Sequence, residues 1–135
     1  MDVLIESTKR FEKNLKKLTQ EEKAATVQAI NDCASLFPTQ KADVYRKLRR
    51  SISLRLPSDL DLKGYESSLY ILRVSRKRKR LIVILAVDED PIFGQVIFTL
   101  FRVVQPDDLD KAYKSVAESL YQELRHTNRE TAQIS

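Results

Sequence analysis

Residues Ser67 to Asp90 have the sequence SSLYILRVSRKRKRLIVILAVDED. This stretch contains the predicted central strand, against which the other elements are expected to pack. Leu69 to Val74 mixes apolar residues with Arg73. Leu81 to Val87 is an almost unbroken, largely β-branched apolar run, which is typical of a central strand covered on both faces. The basic residues Arg76 to Arg80 separate the two runs without interruption. The stretch therefore predicts a β-hairpin that carries both core and concentrated positive charge.

Strands are also predicted on either side of this hairpin. Asp88 to Pro91 indicates a turn, Gly94 follows it, and the apolar run Val96 to Val103 predicts a third antiparallel strand. Near the N-terminus, Val3 to Glu6 is short, apolar and β-branched, as expected for a strand. We expect a small antiparallel sheet made of a C-terminal three-strand meander and the N-terminal strand.

An amphipathic helix pair is predicted between the first strand and the hairpin. Ser7 or Thr8 can cap the first helix, and Thr19 to Glu22, TQEE, has the spacing of a capping box for the second. Pro38 ends the second helix. The apolar faces of the two helices are Phe11, Leu15 and Leu18, and then Val27, Ile30, Ala34 and Phe37. Such a pair packs on one face of a sheet.

The remaining segments are a variable region and a C-terminal helix. Residues 38–66 are basic, with a short helix expected at Asp43 to Arg50 and an edge strand at Ser51 to Leu56. Pro106 and the carboxylates after it predict a helix start, because proline suits the first turn and acids suit the positive end of the helix dipole. The chain is expected to form one α+β domain over residues 1–128, followed by a flexible tail at 129–135.

Composition excludes several classes of function. The 135 residues are 42% hydrophobic and 32% charged, and no apolar run approaches the length needed to cross a bilayer. No secretory leader is evident at the N-terminus, so we expect a cytoplasmic protein with no membrane partner. With one cysteine, Cys33, and one histidine, His126, the sequence offers no soft-metal cluster, and no cofactor is predicted.

Positive charge is concentrated in one third of the chain. Residues 41–80 contain 13 Lys and Arg against 4 Asp and Glu, a balance of +9, whereas the other residues contain 11 against 15, a balance of −4. A segregated field of this kind favours a polyanionic partner, because cations that neutralise phosphates release counterions and steer association. The alternative interpretation is a well-solvated basic surface.

The order of these elements resembles the RelE/ParE superfamily of bacterial toxins. The resemblance covers roughly Val3 to Leu120. It is carried by FEKNLKKLTQEEKAATVQAI at Phe11 to Ile30, LKG at Leu62 to Gly64, YILRV at Tyr70 to Val74, RLIVILAVDED from Arg80, and AYKSVA around Tyr113. The resemblance implies a RelE-like α+β domain that belongs to a type II toxin–antitoxin module, with a cognate antitoxin protein as its partner.

Two activities follow from this resemblance. RelE-like members are endoribonucleases that cleave messenger RNA on the ribosome and inhibit translation, and they need no metal. ParE-like members lack the catalytic set and engage gyrase or another target without cleaving RNA. Both alternatives stay open at the level of sequence, as does a basic domain that binds antitoxin or RNA.

The resemblance also implies site residues. Arg73, Arg80 and Arg102 match the basic residues of the family's strands, and Tyr113 looks like the tyrosine of its C-terminal segment. Metal-independent scission needs the ribose 2′-hydroxyl held in line, charge stabilised on the phosphate and a proton delivered to the leaving oxygen. Arginine forks suit the phosphate, and Tyr113 or a turn lysine would transfer the proton. The expected RNA-binding residues are Arg76, Lys77, Arg78, Lys79, Arg49 and Arg50.

One segment departs from the family pattern. Between the last strand and Tyr113 the chain carries Asp107, Asp108 and Asp110 in place of a compact basic turn. Carboxylates that face the site would repel a phosphate. Tyr113 also lies on the apolar face of its helix, which is equally consistent with a core tyrosine.

Overall fold

The computed structural model describes residues 2–50 and 69–120, and it describes residues 49, 50 and 76 by their backbone alone. The predicted α+β class is confirmed. In chain order the elements are β1 (Asp2–Ser7), α1 (Lys9–Lys16), α2 (Gln20–Leu36), α3 (Lys41–Lys47), β2 (Leu48–Arg50), β3 (Leu69–Arg76), β4 (Lys79–Asp90), β5 (Gln95–Val104), a 3-10 turn (Pro106–Asp108) and α4, which is helical over residues 109–120.

The strands form one sheet in the order β1-β5-β4-β3-β2. The meander β3-β4-β5 is antiparallel, as predicted. β1, however, runs parallel to β5, from Asp2 opposite Gln95 to Ser7 opposite Leu100, so the sheet is mixed and not purely antiparallel. The chain between β1 and β5 contains α1 to α3 and β2 to β4, which is long enough for the crossover that a parallel pairing needs.

Helices cover both faces of the sheet. The predicted helix pair, together with α3, packs on one face, where Phe11, Ile30 and Phe37 join one core cluster. α4 packs on the opposite face, where Tyr113 and Val116 join a second cluster. The domain therefore has three layers, helix on sheet on helix.

The apolar run of β4 divides between these two cores. Leu81, Val83 and Leu85 belong to the cluster under α1 and α2, whereas Ile82 and Ile84 belong to the cluster under α4. Because successive strand residues point to opposite faces, a strand covered on both sides needs apolar residues at every position. This explains why the sequence shows an unbroken run in β4.

The two predicted N-caps are present. Thr8 Oγ1 accepts a hydrogen bond from the Phe11 N–H at 3.2 Å. Thr19 Oγ1 accepts from the Glu22 N–H at 3.2 Å, and the Glu22 carboxylate accepts from the Thr19 N–H at 3.0 Å. The complete capping box fixes where α2 begins, just before the chain passes beneath the basic hairpin.

Two predicted elements, a helix and a turn, have the wrong boundaries. The short helix expected through Arg50 ends at Lys47, because Leu48 is 2% exposed and pairs with Leu72 in the sheet. The turn expected from Asp88 begins only after Asp90, since β4 stays paired with β5 up to that residue. The predicted edge strand Ser51–Leu56, the LKG element and the tail 129–135 lie outside the described residues.

Candidate nucleic-acid interface

The basic end of the β3-β4 hairpin is open to solvent. Lys77 and Arg78 form its turn, and Lys77 adopts a left-handed backbone with φ 53°. Arg73, Lys77, Arg78, Lys79 and Arg80 are all exposed. Within residues 2–50 and 69–120, none of these five cations forms an ion pair. Their charge is therefore available to an anion.

Arg73 and Arg80 lie side by side on one face of the sheet. Leu69 and Ile71 of β3 contact the α4 layer, so the two-residue period places Arg73 on that same face. Arg80 pairs with Ser75 and precedes Ile82, which pairs with Arg73. The two arginines are diagonal cross-strand neighbours, and their Cβ atoms are expected to be about 7–8 Å apart or less. Two guanidinium groups at this spacing can donate hydrogen bonds to one phosphate or to two consecutive phosphates.

A cleft of about 440 Å³ lies beside Arg80. Arg78, Lys79 and Arg80 line one wall, and Glu22 and Asp107 place two carboxylates in it. The cleft is thus cationic along the hairpin and acidic along its rim. An RNA backbone would contact the cations along the hairpin side of the cleft. Arg73 lines a separate cleft with residues of α2, Asp32 among them.

Arg102 lies elsewhere. It falls at a β-bulge, where the pairing of β4 with β5 shifts between Ile84 and Leu85. Its Nε donates to Asn14 Oδ1 on α1 at 2.7 Å, and its side chain is half-buried. Arg102 therefore faces the α1 side of the molecule and is not part of the Arg73–Arg80 pair.

Tyr113 is in the core. It is 1% exposed and belongs to the cluster between α4 and the sheet. A phosphate on the surface of the hairpin does not reach a side chain at this depth in the described conformation. The structure therefore brings together two of the four predicted catalytic residues, Arg73 and Arg80, and separates Arg102 and Tyr113 from them.

The six predicted RNA-binding residues fall into two groups. Lys77, Arg78 and Lys79 lie at the hairpin tip. Arg49 and Arg50 lie in β2 and position 76 ends β3, but their side chains are outside the described part of the structure. The roles of all six stay predictions.

Sequence reasoning missed a second cationic cleft of about 560 Å³ between α1 and α4. Its lining includes Arg10 of α1, the α1 C-cap residue Lys17, Arg102 of β5 and Lys111 of α4. The spacing of Arg10, Asn14 and Lys17 on one helical face is the only local signal of this cleft. No local signal links that face to Arg102 or Lys111.

Two carboxylates, Glu22 in the cleft beside the hairpin and Glu89 on β4, titrate below their ordinary range. The hydrogen bond from the Thr19 N–H lowers the pKa of Glu22, and Lys79 adds to the effect. The ion pair with Lys41 lowers the pKa of Glu89, which also accepts a hydrogen bond from the Tyr45 hydroxyl at 2.8 Å. Burial, followed by this bond to Glu89, raises the pKa of Tyr45. The carboxylates of Glu22 and Glu89 therefore stay ionised to a lower pH than an ordinary glutamate does.

These shifts predict a stability that falls in acid. A folded-state pKa below the ordinary 4.5 stabilises the folded protein at pH above 4.5, and this contribution is lost as the pH falls through the lowered values. We expect the melting temperature to decline more steeply below about pH 4.5 in the wild type than in Glu22→Gln/Glu89→Gln. Thermal scans across this range test the point. Glu118→Gln, which changes an exposed carboxylate on α4, serves as the control, and equal slopes in all three proteins contradict the assignment.

Other classes of site find no support in the described residues. Among residues 2–50 and 69–120, no group of three His, Cys, Asp or Glu side chains is placed to hold a metal ion. No helix of that part is both long and apolar enough to cross a membrane.

Comparison with known proteins gives no family assignment. No protein-family model matches the chain. No curated protein matches it closely enough to indicate a relationship. Its function must therefore be argued from the geometry of its own residues.

Proposed function

We propose that this protein is the toxin of a RelE/ParE-type toxin–antitoxin module and that it acts on RNA at the ribosome through the β3-β4 hairpin. The observation that carries the proposal is the diagonal cross-strand placement of Arg73 and Arg80 on one face of the hairpin, next to the exposed Lys77, Arg78 and Lys79. Guanidinium groups stay protonated and bind phosphate oxygens in pairs, which suits a scissile phosphodiester.

The chemistry that this arrangement can support is mainly electrostatic. Arg73 and Arg80 would stabilise the charge that develops when the ribose 2′-hydroxyl attacks the adjacent phosphate. The 2′-oxygen bonds to phosphorus and its proton passes to solvent water, the bond from phosphorus to the 5′-oxygen breaks, and the leaving 5′-oxygen takes up a proton. Lys77 and Lys79 are the exposed proton donors nearest to the pair along the chain. The ribosome would supply the alignment that the open hairpin surface does not impose.

A second candidate function is a non-catalytic toxin that binds its target without cleavage. The observation in its favour is the separation of the predicted catalytic residues, with Tyr113 1% exposed and Arg102 bonded to Asn14. Under this alternative the hairpin still binds a polyanion or an acidic partner, but no bond is broken.

Inducible expression in a bacterial host tests the proposal. We expect the wild type to arrest growth and Arg73→Ala/Arg80→Ala to lose the arrest, because the phosphate-binding pair is removed while the core is untouched. Lys9→Ala/Lys13→Ala removes the same charge from exposed positions of α1 that line neither cleft, so this variant should still arrest growth.

Three results would count against the proposal. In the first, cells that produce the wild-type protein at a high level grow normally. In the second, the arginine variant still arrests growth. In the third, the arginine variant and the lysine variant lose growth arrest to the same extent. A neighbouring gene for an acidic antitoxin that restores growth would support the toxin module under either mechanism.

A further inference from the structure

The cleft between α1 and α4 exposes one edge of β5. β1 pairs with β5 only as far as Leu100, where the chain turns into α1 through a hydrogen bond from the Thr8 N–H to the Leu100 carbonyl oxygen at 3.0 Å. Beyond this point no strand of the described residues covers the outer edge of β5. α1 and α4 stand on either side of the gap, so it is a cleft with helical walls.

Two arginines are held in this cleft by neutral partners. Arg10 Nη1 donates to Ser115 Oγ across the cleft at 2.8 Å, and Arg102 Nε donates to Asn14 Oδ1 at 2.7 Å. A neutral acceptor orients a guanidinium without cancelling its charge, and the remaining N–H groups can bind a ligand. The arginines are therefore preorganised for an anion.

Most of the charged side chains that line the cleft are basic. Among the described residues, the cleft is lined by one carboxylate, that of Asp108, and by four cations, Arg10, Lys17, Arg102 and Lys111. None of the four cations forms an ion pair with any residue of 2–50 or 69–120. Four uncompensated cations around one cleft attract a ligand with several negative charges, not a single carboxylate.

The two cationic clefts adjoin. Leu81 and Gln105 line the cleft between α1 and α4, and the same two residues line the cleft beside the hairpin. A ligand that leaves Arg80 along this boundary meets Arg102 next. The cations of both clefts therefore border one continuous surface.

We propose that this surface is a single path for the backbone of single-stranded RNA, with the cleft between α1 and α4 binding phosphates that flank those at Arg73 and Arg80. The inference rests on the proposed function and extends it by naming a second subsite. No aromatic side chain of residues 2–50 or 69–120 lines this cleft, so those residues offer no surface for base stacking, and we expect binding there to be independent of sequence.

An acidic peptide fits the cleft less well than RNA. Amphipathic peptides dock by burying apolar side chains on exposed apolar surface. Leu81, Val103 and Ala112, which line the cleft, are only 4%, 3% and 3% exposed. Leu18, which also lines it, is half-buried and leaves part of its side chain accessible. One half-buried leucine beside four cations favours a polyphosphate backbone over an amphipathic peptide.

Binding of fluorescent RNA by the full-length protein tests the path. The probes are a single-stranded trinucleotide and a dodecanucleotide, and the readout is fluorescence anisotropy at several salt concentrations. The test variant is Lys17→Glu/Lys111→Glu, which reverses two exposed charges in the cleft. The matched control, Lys13→Glu/Lys114→Glu, reverses two exposed charges on the same two helices outside either cleft.

We expect the test variant to bind the dodecanucleotide at least tenfold more weakly than the control at about 50 mM salt, while both bind the trinucleotide alike. The slope of log affinity against log salt should also be shallower by roughly 1.4, because two phosphate contacts are lost from a single strand.

Each other outcome overturns the inference in a recognisable way. If both variants bind the dodecanucleotide equally while Arg73→Glu/Arg80→Glu does not bind it, the hairpin binds RNA and the second subsite is wrong. If the wild type binds neither probe, the RNA-directed function itself fails. If the test variant binds RNA as tightly as the control does but no longer binds an acidic antitoxin, the cleft is a protein-binding site.

Discussion

Tyr113→Ala is expected to lower the free energy of unfolding by about 3–5 kcal/mol, the largest loss that we predict for a single substitution. The side chain is 1% exposed, and it packs between α4 and the sheet with Ile82 and Ile84. Alanine leaves a cavity that these branched side chains cannot fill by moving. Urea denaturation followed by circular dichroism measures the loss as a lower midpoint with an unchanged slope.

Tyr113→Phe separates packing from chemistry at the same position. Phenylalanine keeps the ring and removes only the hydroxyl, so the expected cost is roughly 1 kcal/mol. If Tyr113 is a core residue, the phenylalanine protein folds and still arrests growth. A stable Tyr113→Phe protein that no longer arrests growth would assign the hydroxyl a direct role and would contradict the placement of the site at the hairpin.

Reversing the arginine pair with Arg73→Glu/Arg80→Glu is expected to weaken binding of single-stranded RNA by roughly a hundredfold at about 50 mM salt. The substitutions replace two phosphate contacts with two repulsive charges, while the core beneath them is unchanged. Anisotropy titration measures the affinity, and thermal unfolding confirms that the variant is folded.

Lys9→Glu/Lys13→Glu is the control for this reversal. It makes the same change in net charge on α1, away from both clefts. It should weaken binding only a few-fold, through the long-range field that salt screens. Equal losses in the two proteins would mean that net charge, and not the hairpin surface, governs RNA binding.

The elements that could be predicted from sequence are those fixed by local interactions. β4 and the meander follow from a β-branched run and its turns, and the start of α2 follows from the Thr19 capping box. The sequence correctly predicts β1 as a strand, but the antiparallel pairing expected for it is wrong. A strand pattern does not encode its partner, and β5 lies some 90 residues away in the sequence.

β2 shows the same limit at shorter range. Leu48 continues a helical pattern in the sequence, yet its side chain is buried against the sheet and its backbone pairs with Leu72. The free energy of burying that side chain outweighs the helix propensity of a few residues, which amounts to tenths of a kcal/mol each. Only the folded arrangement reveals which of the two effects dominates.

In the candidate site, too, residues that are close in sequence could be predicted together, whereas residues that only the fold brings together could not. Arg73 and Arg80 could be predicted together because they belong to one hairpin, and their cross-strand register follows from it. The cleft between α1 and α4 draws its cations from segments about 100 residues apart, so no sequence window contains it. Tyr113 lies on the apolar face of a helix, a pattern equally consistent with a core and a catalytic tyrosine, and the structure places it in the core.

Mapping the 5′ ends of messenger RNA in arrested cells tests the central claim most directly. The wild type, Arg73→Ala/Arg80→Ala and Lys9→Ala/Lys13→Ala are induced in parallel, and new ends are compared by position within codons. The account predicts new codon-phased ends with the wild type and the lysine variant and none with the arginine variant. Growth arrest without new ends would contradict cleavage and leave a toxin that acts by binding alone.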